Sequence, residues 1–219
     1  MRLDAADEVR FAQAVARAVP FVRRAIGEGA HANRVLAWHP KEGLILEPWR
    51  SARRRWIRQA RRLALDARWV AVTDVRDCYP SIAAATVAAR LQAIGAPPAT
   101  VDEIAAWLMA FAQNGVEGLP IGPEASAVLA DAVLATGDAA IRVTGAEHLR
   151  WVDDIAIFAP DRRTGLRSLD TLREGLLAVG LELHEGKTMA FSDPAAVAAH
   201  LRSPRSSPGA HPRCDNRAR

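Results

Sequence analysis

Apolar residues recur with two different periods along this chain of 219 residues, and the alternation of the periods predicts the order of its elements. A period of 3.6 residues, which indicates an amphipathic helix, marks the longer stretches. The predicted helices are residues 9–19, 51–67, 81–94, 101–111, 124–141 and 166–179. Short apolar runs that end at charged or turn-forming residues indicate strands. The predicted strands are residues 44–46, 69–73, 148–152, 155–158 and 181–184.

This order of elements predicts an α+β fold, in which helices pack on one face of an antiparallel sheet. The length suits one domain with a small appendage, at roughly 100–200 residues per domain. We expect residues 1–68 to form a helical region that includes a basic helix, and residues 69–200 to form the domain that contains the sheet. Residues 201–219 lack core-forming side chains, so we expect a disordered basic tail there.

Positive charge is concentrated in two segments, although the net charge is only +4. Residues 50–68 carry eight arginines against one acid, and residues 202–219 carry five arginines against one acid. Such segments favour a polyanion such as nucleic acid as the partner, and a solvated arginine-rich helix is the alternative.

Composition excludes several classes of protein. Cys78 and Cys214 are the only cysteines, which excludes a disulfide framework and a zinc site of four cysteines. No run of about 18 apolar residues is present, so we expect no membrane-spanning segment. We therefore expect a cytoplasmic protein.

Three aspartates are candidate metal ligands. Asp74 ends a predicted strand, and Asp153 and Asp154 occupy the turn between two others. An aspartate at either place is usually only a strand terminator or a turn former. Carboxylates at the ends of adjacent strands can, however, hold two Mg²⁺ ions about 3.5–4 Å apart, which is the geometry that stabilises the attacking and leaving oxygens of nucleotidyl transfer.

Four motifs around these aspartates resemble the palm motifs of reverse transcriptases, in the order of that family. They are Asp-Val-Arg-Asp-Cys-Tyr-Pro-Ser-Ile at 74–82, Gly-Leu-Pro-Ile-Gly-Pro-Glu-Ala-Ser at 118–126, Arg-Trp-Val-Asp-Asp-Ile-Ala-Ile-Phe at 150–158 and Gly-Leu-Glu-Leu-His-Glu-Gly-Lys-Thr at 180–188. The second motif is most similar to bacterial enzymes of the abortive-infection and phage-defence groups. Two positions depart from the pattern, with Ile121 where many relatives have Gln and Trp151 where Tyr or Phe is usual.

The resemblance implies a polymerase palm over residues 69–200 and a partial fingers region over residues 1–68. Only 32 residues follow Lys187, which is too few for a thumb. We therefore expect a truncated enzyme, or one whose thumb comes from a second polypeptide.

The resemblance also implies a role for each matched residue. Asp74, Asp153 and Asp154 would hold two Mg²⁺ ions, for which Mn²⁺ can substitute, and the Val75 carbonyl would complete one metal's shell. Lys187 would stabilise or protonate the pyrophosphate. The residues expected to bind the incoming deoxynucleotide are Arg76, Asp77, Cys78, Tyr79 and Gly122, with the Tyr79 ring excluding a 2′-hydroxyl. Those expected to contact nucleic acid are Ser126, Arg54, Arg58 and Arg62.

The expected activity is RNA-directed DNA synthesis from a DNA primer, an RNA template and deoxynucleoside triphosphates. Template-independent or protein-primed DNA synthesis stays open, and Tyr79 argues against an RNA-dependent RNA polymerase. An inactive nucleic-acid-binding fragment and a helical scaffold are the alternatives from other classes. Retention of all three carboxylates argues against the inactive fragment, because neighbouring buried acids are destabilising unless metal or protons compensate. Trp49, Trp56 and Trp69 are expected to pack in the core.

Overall fold

The computed structural model describes residues 5–193 and Ala196, so the predicted tail lies outside the described residues. The helices are α1 (Ala5–Ala16), α2 (Val19–Ala25), α3 (Trp49–Asp66), α4 (Cys78–Ser81), α5 (Ala84–Ala93), α6 (Pro98–Gln113), α7 (Glu124–Arg142) and α8 (Arg162–Leu177). The strands are β1 (Val35–His39), β2 (Gly43–Leu46), β3 (Trp69–Asp74), β4 (Glu147–Trp151), β5 (Asp154–Ala159) and β6 (Met189–Phe191). Among these described helices, none has both the length and the apolar character needed to cross a membrane.

The main sheet has four antiparallel strands in the order β4-β5-β3-β6. β3 pairs along its whole length with β5, from Trp69 opposite Ala159 to Asp74 opposite Asp154. β4 and β5 form the predicted hairpin. β6 pairs with the middle of β3 on its other edge. This register places the acidic ends of β3 and β5 side by side.

Side chains alternate between the two faces of this sheet, and helices cover both. Ala71 and Ile157 point into the main core, where α7 and α8 pack, as the predicted α+β arrangement requires. Val70 and Phe158 point to the opposite face. That face is partly covered by α3, whose buried residues Trp56, Ala60 and Ala64 form a second, smaller core with the sheet.

One predicted strand needs correction, and one strand was not predicted. Residues 181–184 make only an isolated bridge, between Leu183 and Val75, because a 3₁₀ turn (Glu185–Lys187) interrupts the pairing. The fourth strand of the main sheet is β6, which follows that turn. The segment before β2, where Pro40 and Gly43 weaken the pattern, forms β1 and pairs with β2 in a hairpin. Gly43 has φ +78 and allows the chain to reverse there.

One predicted helix is divided. Residues 81–94 were expected to be continuous, whereas α4 ends at Ser81 and α5 begins at Ala84. Ile82 and Ala83, which lie between them, have extended backbone angles. Ile82 is fully buried, so the break turns this side chain into the core.

Candidate active site

The three candidate aspartates lie at one end of the paired strands β3 and β5. Asp74 and Asp154 lie directly opposite each other, and residues so paired have Cβ atoms about 4.5–5.5 Å apart on the same face of a sheet. The Val75 amide donates a hydrogen bond to the Asp153 carbonyl over 3.2 Å. The structure therefore brings together all four residues predicted as metal ligands.

Burial, together with nearby negative charge, makes the carboxyl groups of Asp153 and Asp154 harder to ionise. Burial raises the pKa of Asp153, and the nearby Asp74 charge raises it further. Burial, followed by the charges of Asp153 and Asp74, raises the pKa of Asp154 to about 7. Surplus negative charge in a partly buried site favours the binding of a cation.

Lys187 supplies one positive charge to this site. Its Nζ donates a hydrogen bond to Asp74 Oδ2 over 2.8 Å, and this bond raises the pKa of Lys187. Asp74 is only 6% exposed, and its other oxygen, Oδ1, has no hydrogen-bond partner. A buried, unpaired carboxylate oxygen beside two further carboxylates fits a hard divalent cation. Within residues 5–193, the structure contains no group of three or more His, Cys, Asp or Glu side chains arranged to hold a metal ion.

The turn between β4 and β5 holds Asp153 in a strained segment. Val152, the residue before it, has φ +57. A β-branched residue rarely adopts this conformation, which costs about 1–3 kcal/mol and persists only where the surroundings enforce it. The Val152 carbonyl accepts a hydrogen bond of 2.9 Å from Arg150 Nη1.

Arg150 is the largest charged side chain in the core and was not predicted from the sequence. It is 1% exposed and forms ion pairs with Asp131 and Asp138 of α7. Burial alone would raise the pKa of Asp138, but Arg150 and then His148 outweigh it and lower that pKa below its usual range. Burial raises the pKa of Asp131 by more than its ion pair with Arg150 lowers it. Two aspartates within a mainly apolar predicted helix were the signal that could have revealed this cluster.

The first and second motifs contact each other through their backbones. The Leu119 amide donates a hydrogen bond to the Tyr79 carbonyl over 2.9 Å. Gly118 has φ +63, and a Cβ atom there would lie 2.3 Å from the carbonyl oxygens of Tyr79 and Pro80. Glycine is therefore required at this position on both counts. The loop keeps Tyr79 half-buried between the two motifs.

The other predicted nucleotide-binding residues differ in exposure. Arg76 and Asp77 are exposed beside the end of β3, and Arg76 Nη1 lies 3.7 Å from Glu182. Gly122 is exposed in the loop before α7. Cys78 is buried, and burial raises its pKa to about 12, so it stays a thiol.

Ser126 does not lie where a template contact was expected. It is 0% exposed, and its Oγ is buried without a hydrogen-bond partner. The reason is that α7 is covered on nearly every side by the core, so residues just inside its start face protein. Its position does not support direct contact with nucleic acid.

The basic helix α3 has two distinct sides. Arg54, Arg58 and Arg62 recur at every fourth residue and are exposed, as a nucleic-acid-binding side requires. The opposite side packs on the sheet through Trp56. The prediction that three tryptophans lie in the core is confirmed for Trp56 and Trp69, which are 4% and 5% exposed. It is wrong for Trp49, which begins α3 and is 50% exposed.

Arg53 connects α3 to the turn between β4 and β5. Its guanidinium lies 4.3 Å from the ring centroid of Trp56 and 5.2 Å from that of Trp151. Burial lowers the pKa of Arg53, and the negative charge of Asp154 partly compensates. Trp151, the aromatic residue that departs from the usual pattern, therefore packs against a cation at the edge of the site.

The fold and the site together define a polymerase palm, with an antiparallel sheet whose central strands present acidic side chains at one end. A comparison with protein families agrees. The chain belongs to the family described as reverse transcriptase (RNA-dependent DNA polymerase), which matches residues 36–206.

A solved structure supports the fold. The chain is similar to apo telomerase from Candida tropicalis truncated from its C-terminal domain, with a TM-score of 0.54 and 11% sequence identity. The similarity covers 83% of this chain and 40% of the telomerase chain, so this chain spans less than half of that protein. At this identity the likeness shows the fold alone. A search of curated proteins found no match.

Proposed function

We propose that this chain catalyses RNA-directed DNA synthesis, in which deoxynucleotides are joined to the 3′ end of a DNA primer on an RNA template. One observation carries the proposal. In a chain of the reverse transcriptase family, Asp74, Asp153 and Asp154 meet at the paired ends of β3 and β5. Positioning and charge are nearly all that phosphoryl transfer requires of a protein, and this arrangement provides both.

The carboxylates of Asp74, Asp153 and Asp154 are the groups that would hold two Mg²⁺ ions, with the Val75 carbonyl as a further oxygen ligand. Mn²⁺ accepts the same oxygen ligands. When bound, such a pair stabilises charge on the attacking and leaving oxygens of an in-line displacement. The chain's part is to fix the ligands. Asp74 is fixed by the pairing of β3 with β5, and Asp153 by the turn that follows β4.

We assign to Lys187 the role of acting on the leaving group. Its side chain is 49% exposed while its Nζ contacts Asp74, so the ammonium lies at the border between the carboxylates and solvent. The raised pKa of Lys187, which results first from the hydrogen bond to Asp74, keeps it protonated at neutral pH. From this position it can neutralise a departing pyrophosphate or give it a proton.

We assign the choice of deoxynucleotides to Tyr79, whose ring would occupy the space of a 2′-hydroxyl. The backbone contact between Gly118 and Tyr79 supports this role, because it fixes the tyrosine against the loop before α7. We assign binding of the nucleotide to the segment 76–79 and to Gly122. Arg54, Arg58 and Arg62 are assigned to the phosphates of the nucleic acid.

We also propose that residues 1–68 act as fingers and residues 69–200 as the palm. The Pro-Ile-Gly-Pro variant at 120–123 supports assignment to the bacterial abortive-infection and phage-defence group. A thumb supplied by a second polypeptide stays a prediction.

Incorporation of labelled dTTP on an RNA template with a DNA primer tests the proposed activity. We expect Mg²⁺-dependent incorporation by the wild-type chain and a loss of at least about 10²-fold in Asp153→Asn, because a misplaced or missing ligand removes the positioning of the reacting groups. Asp170→Asn is the matched control, since Asp170 is an exposed aspartate on α8 whose side chain pairs with Arg173.

Equal incorporation by the wild type and Asp153→Asn would contradict the proposal. Omission of the RNA template separates the alternatives. Incorporation that persists without a template would transfer the assignment to template-independent synthesis.

A further inference from the structure

Arg150 forms a buried network of ion pairs next to the turn between β4 and β5. Its Nε and Nη2 donate hydrogen bonds to Asp138 over 3.0 and 2.9 Å, and its Nη1 donates to Asp131 over 2.7 Å. Asp131 and Asp138 are seven residues apart on α7, which is close to two helical turns, so both carboxylates face the same side. α7 is buried along most of its length, and the network is therefore anchored in the core.

The same guanidinium also contacts the turn between β4 and β5. Arg150 Nη1 donates a hydrogen bond to the Val152 carbonyl over 2.9 Å. This carbonyl belongs to the planar peptide group that joins Val152 to Asp153. The orientation of that peptide group determines the direction of the backbone at Asp153, and therefore where the Asp153 side chain lies. Because Val152 has φ +57, the turn needs support from outside itself to keep this conformation.

The backbone of Arg150 is held independently of its side chain. Its amide donates a hydrogen bond to the Gly29 carbonyl over 2.8 Å, and its carbonyl accepts one from the His31 amide over 3.1 Å. The end of β4 is therefore fixed by the segment 29–31. A change confined to the Arg150 side chain should leave this strand in place and release the turn.

We propose that Arg150 is a positioning residue for nucleotidyl transfer. Its side chain joins α7 to the peptide group before Asp153 and so keeps Asp153 in place. The inference rests on the proposed function. A buried ion pair is weak evidence of a purely stabilising role, because apolar residues of similar volume often replace such pairs without loss of stability. The requirement for arginine lies in its fork of donors, which contacts Asp131, Asp138 and the Val152 carbonyl at the same time.

Arg150→Lys tests the positioning role. Lysine keeps a positive charge beside the two carboxylates, but its single ammonium cannot also hold the Val152 carbonyl. We expect the dissociation constant for Mn²⁺, measured by titration calorimetry, to rise at least about tenfold. We expect kcat for deoxynucleotide incorporation to fall about 10²-fold while the KM for the nucleotide changes little.

Leu172→Ala is the structural control. Leu172 is a fully buried residue of α8 whose side chain lies next to Gly137 of α7. We expect this variant to lower the thermal midpoint as much as Arg150→Lys does, and to keep the wild-type Mn²⁺ affinity and kcat below its unfolding transition.

A neutral triple variant keeps the test decisive if the lysine variant does not fold. Arg150→Met combined with Asp131→Asn and Asp138→Asn removes all three charges together with the contact to Val152. We expect it to fold and to show the same loss of Mn²⁺ affinity.

Folded Arg150 variants with wild-type Mn²⁺ affinity and kcat would overturn the positioning role and leave the proposed function standing. A wild-type chain that neither binds Mn²⁺ nor incorporates nucleotides would overturn the proposed function, and the positioning role with it.

Discussion

His31 is a buried residue whose neutral form the fold requires. It is 4% exposed, and its Nδ1 accepts a hydrogen bond of 3.3 Å from Arg55 Nε. Burial, followed by the charge of Arg55, lowers the pKa of His31 from 6.5 to about 4. Arg55 also forms hydrogen bonds of 2.5 and 2.8 Å with the carboxylate of Glu47, so it cannot move away from a protonated His31 without breaking them.

We therefore predict that acid weakens the fold through His31 between about pH 6.5 and pH 4. In this window the unfolded chain binds a proton at His31 that the folded chain does not bind, so the contribution of His31 to stability falls as the pH falls. Between pH 7.5 and pH 5 the wild-type chain should lose about 1–2 kcal/mol more of its free energy of unfolding in urea than His31→Asn does. This comparison cancels the opposite contribution of Asp154, whose raised pKa stabilises the folded chain as the pH falls. His39→Asn, a change at an exposed histidine, should behave as the wild type does. The same pH difference in His31→Asn would contradict the prediction.

Residues are predictable from sequence where their chemistry is local. Asp74, Asp153 and Asp154 stand at strand ends and in a turn, and the pairing of β3 with β5 brings them together as expected. Arg150 and His31 were not predicted, because their partners lie far along the chain. Arg150 reaches Asp131 across 19 residues, and no local pattern marks such a pair.

At the scale of elements, the contact between the first two motifs depends on one glycine. Gly118 and Gly115 both have positive φ, at +63 and +80. A Cβ atom at Gly118 would meet two backbone carbonyls, whereas one at Gly115 would meet nothing within 4 Å. Alanine substitutions at the two positions therefore distinguish the cost of backbone strain from the cost of steric conflict.

We predict that Gly115→Ala lowers the free energy of unfolding by about 1 kcal/mol, and that Gly118→Ala lowers it by about 1–3 kcal/mol more than that. The first effect is the cost of a left-handed backbone conformation, which both variants share. The second arises because the carbonyls of Tyr79 and Pro80 must move. Chemical denaturation of the two variants measures the difference, and equal destabilisation would show that the loop does not pack as described.

Helices were predicted more reliably than strands, for a physical reason. The period of α3 and α8 is repeated over several turns, so single exceptions do not hide it. Strands are short, and their pairing depends on distant partners. Residues 181–184 have the alternation of a strand, but only Leu183 forms a bridge before the 3₁₀ turn. β1 was not predicted because its own sequence lacks a clear strand pattern. It is a strand because it pairs with β2.

At the scale of the whole molecule, the exposed arginines of α3 lie on the side of that helix that faces away from the sheet. α3 packs on the sheet through Trp56, Ala60 and Ala64 and exposes its arginines on the other side. The sequence predicted both the basic helix and the sheet. It did not predict that α3 covers the second face of the sheet, because an apolar stripe does not identify the surface on which it packs.

The exposed arginines of α3 should make nucleic-acid binding strongly salt-dependent. We predict that changing Arg54, Arg58 and Arg62 together to Gln lowers the slope of log affinity against log salt by about 2, since each phosphate of single-stranded RNA that an arginine neutralises adds roughly 0.7 to that slope. Fluorescence anisotropy in EDTA measures this slope without catalysis. The control changes three exposed arginines elsewhere, Arg23, Arg162 and Arg163, to Gln. The prediction is wrong if both triple variants reduce the slope equally.

The position of bound metal tests the proposed site most directly. A crystal of the chain soaked with Mn²⁺ and a deoxynucleoside triphosphate, measured by anomalous scattering, should show two peaks about 3.5–4 Å apart. Each peak should lie about 2.2 Å from a carboxylate oxygen of Asp74 or Asp153, and the hydrogen bond between Lys187 and Asp74 should lengthen as the metal takes its place on the carboxylate. Peaks elsewhere in the molecule, or none at these carboxylates when the nucleotide is bound, would contradict the assignment of a polymerase site.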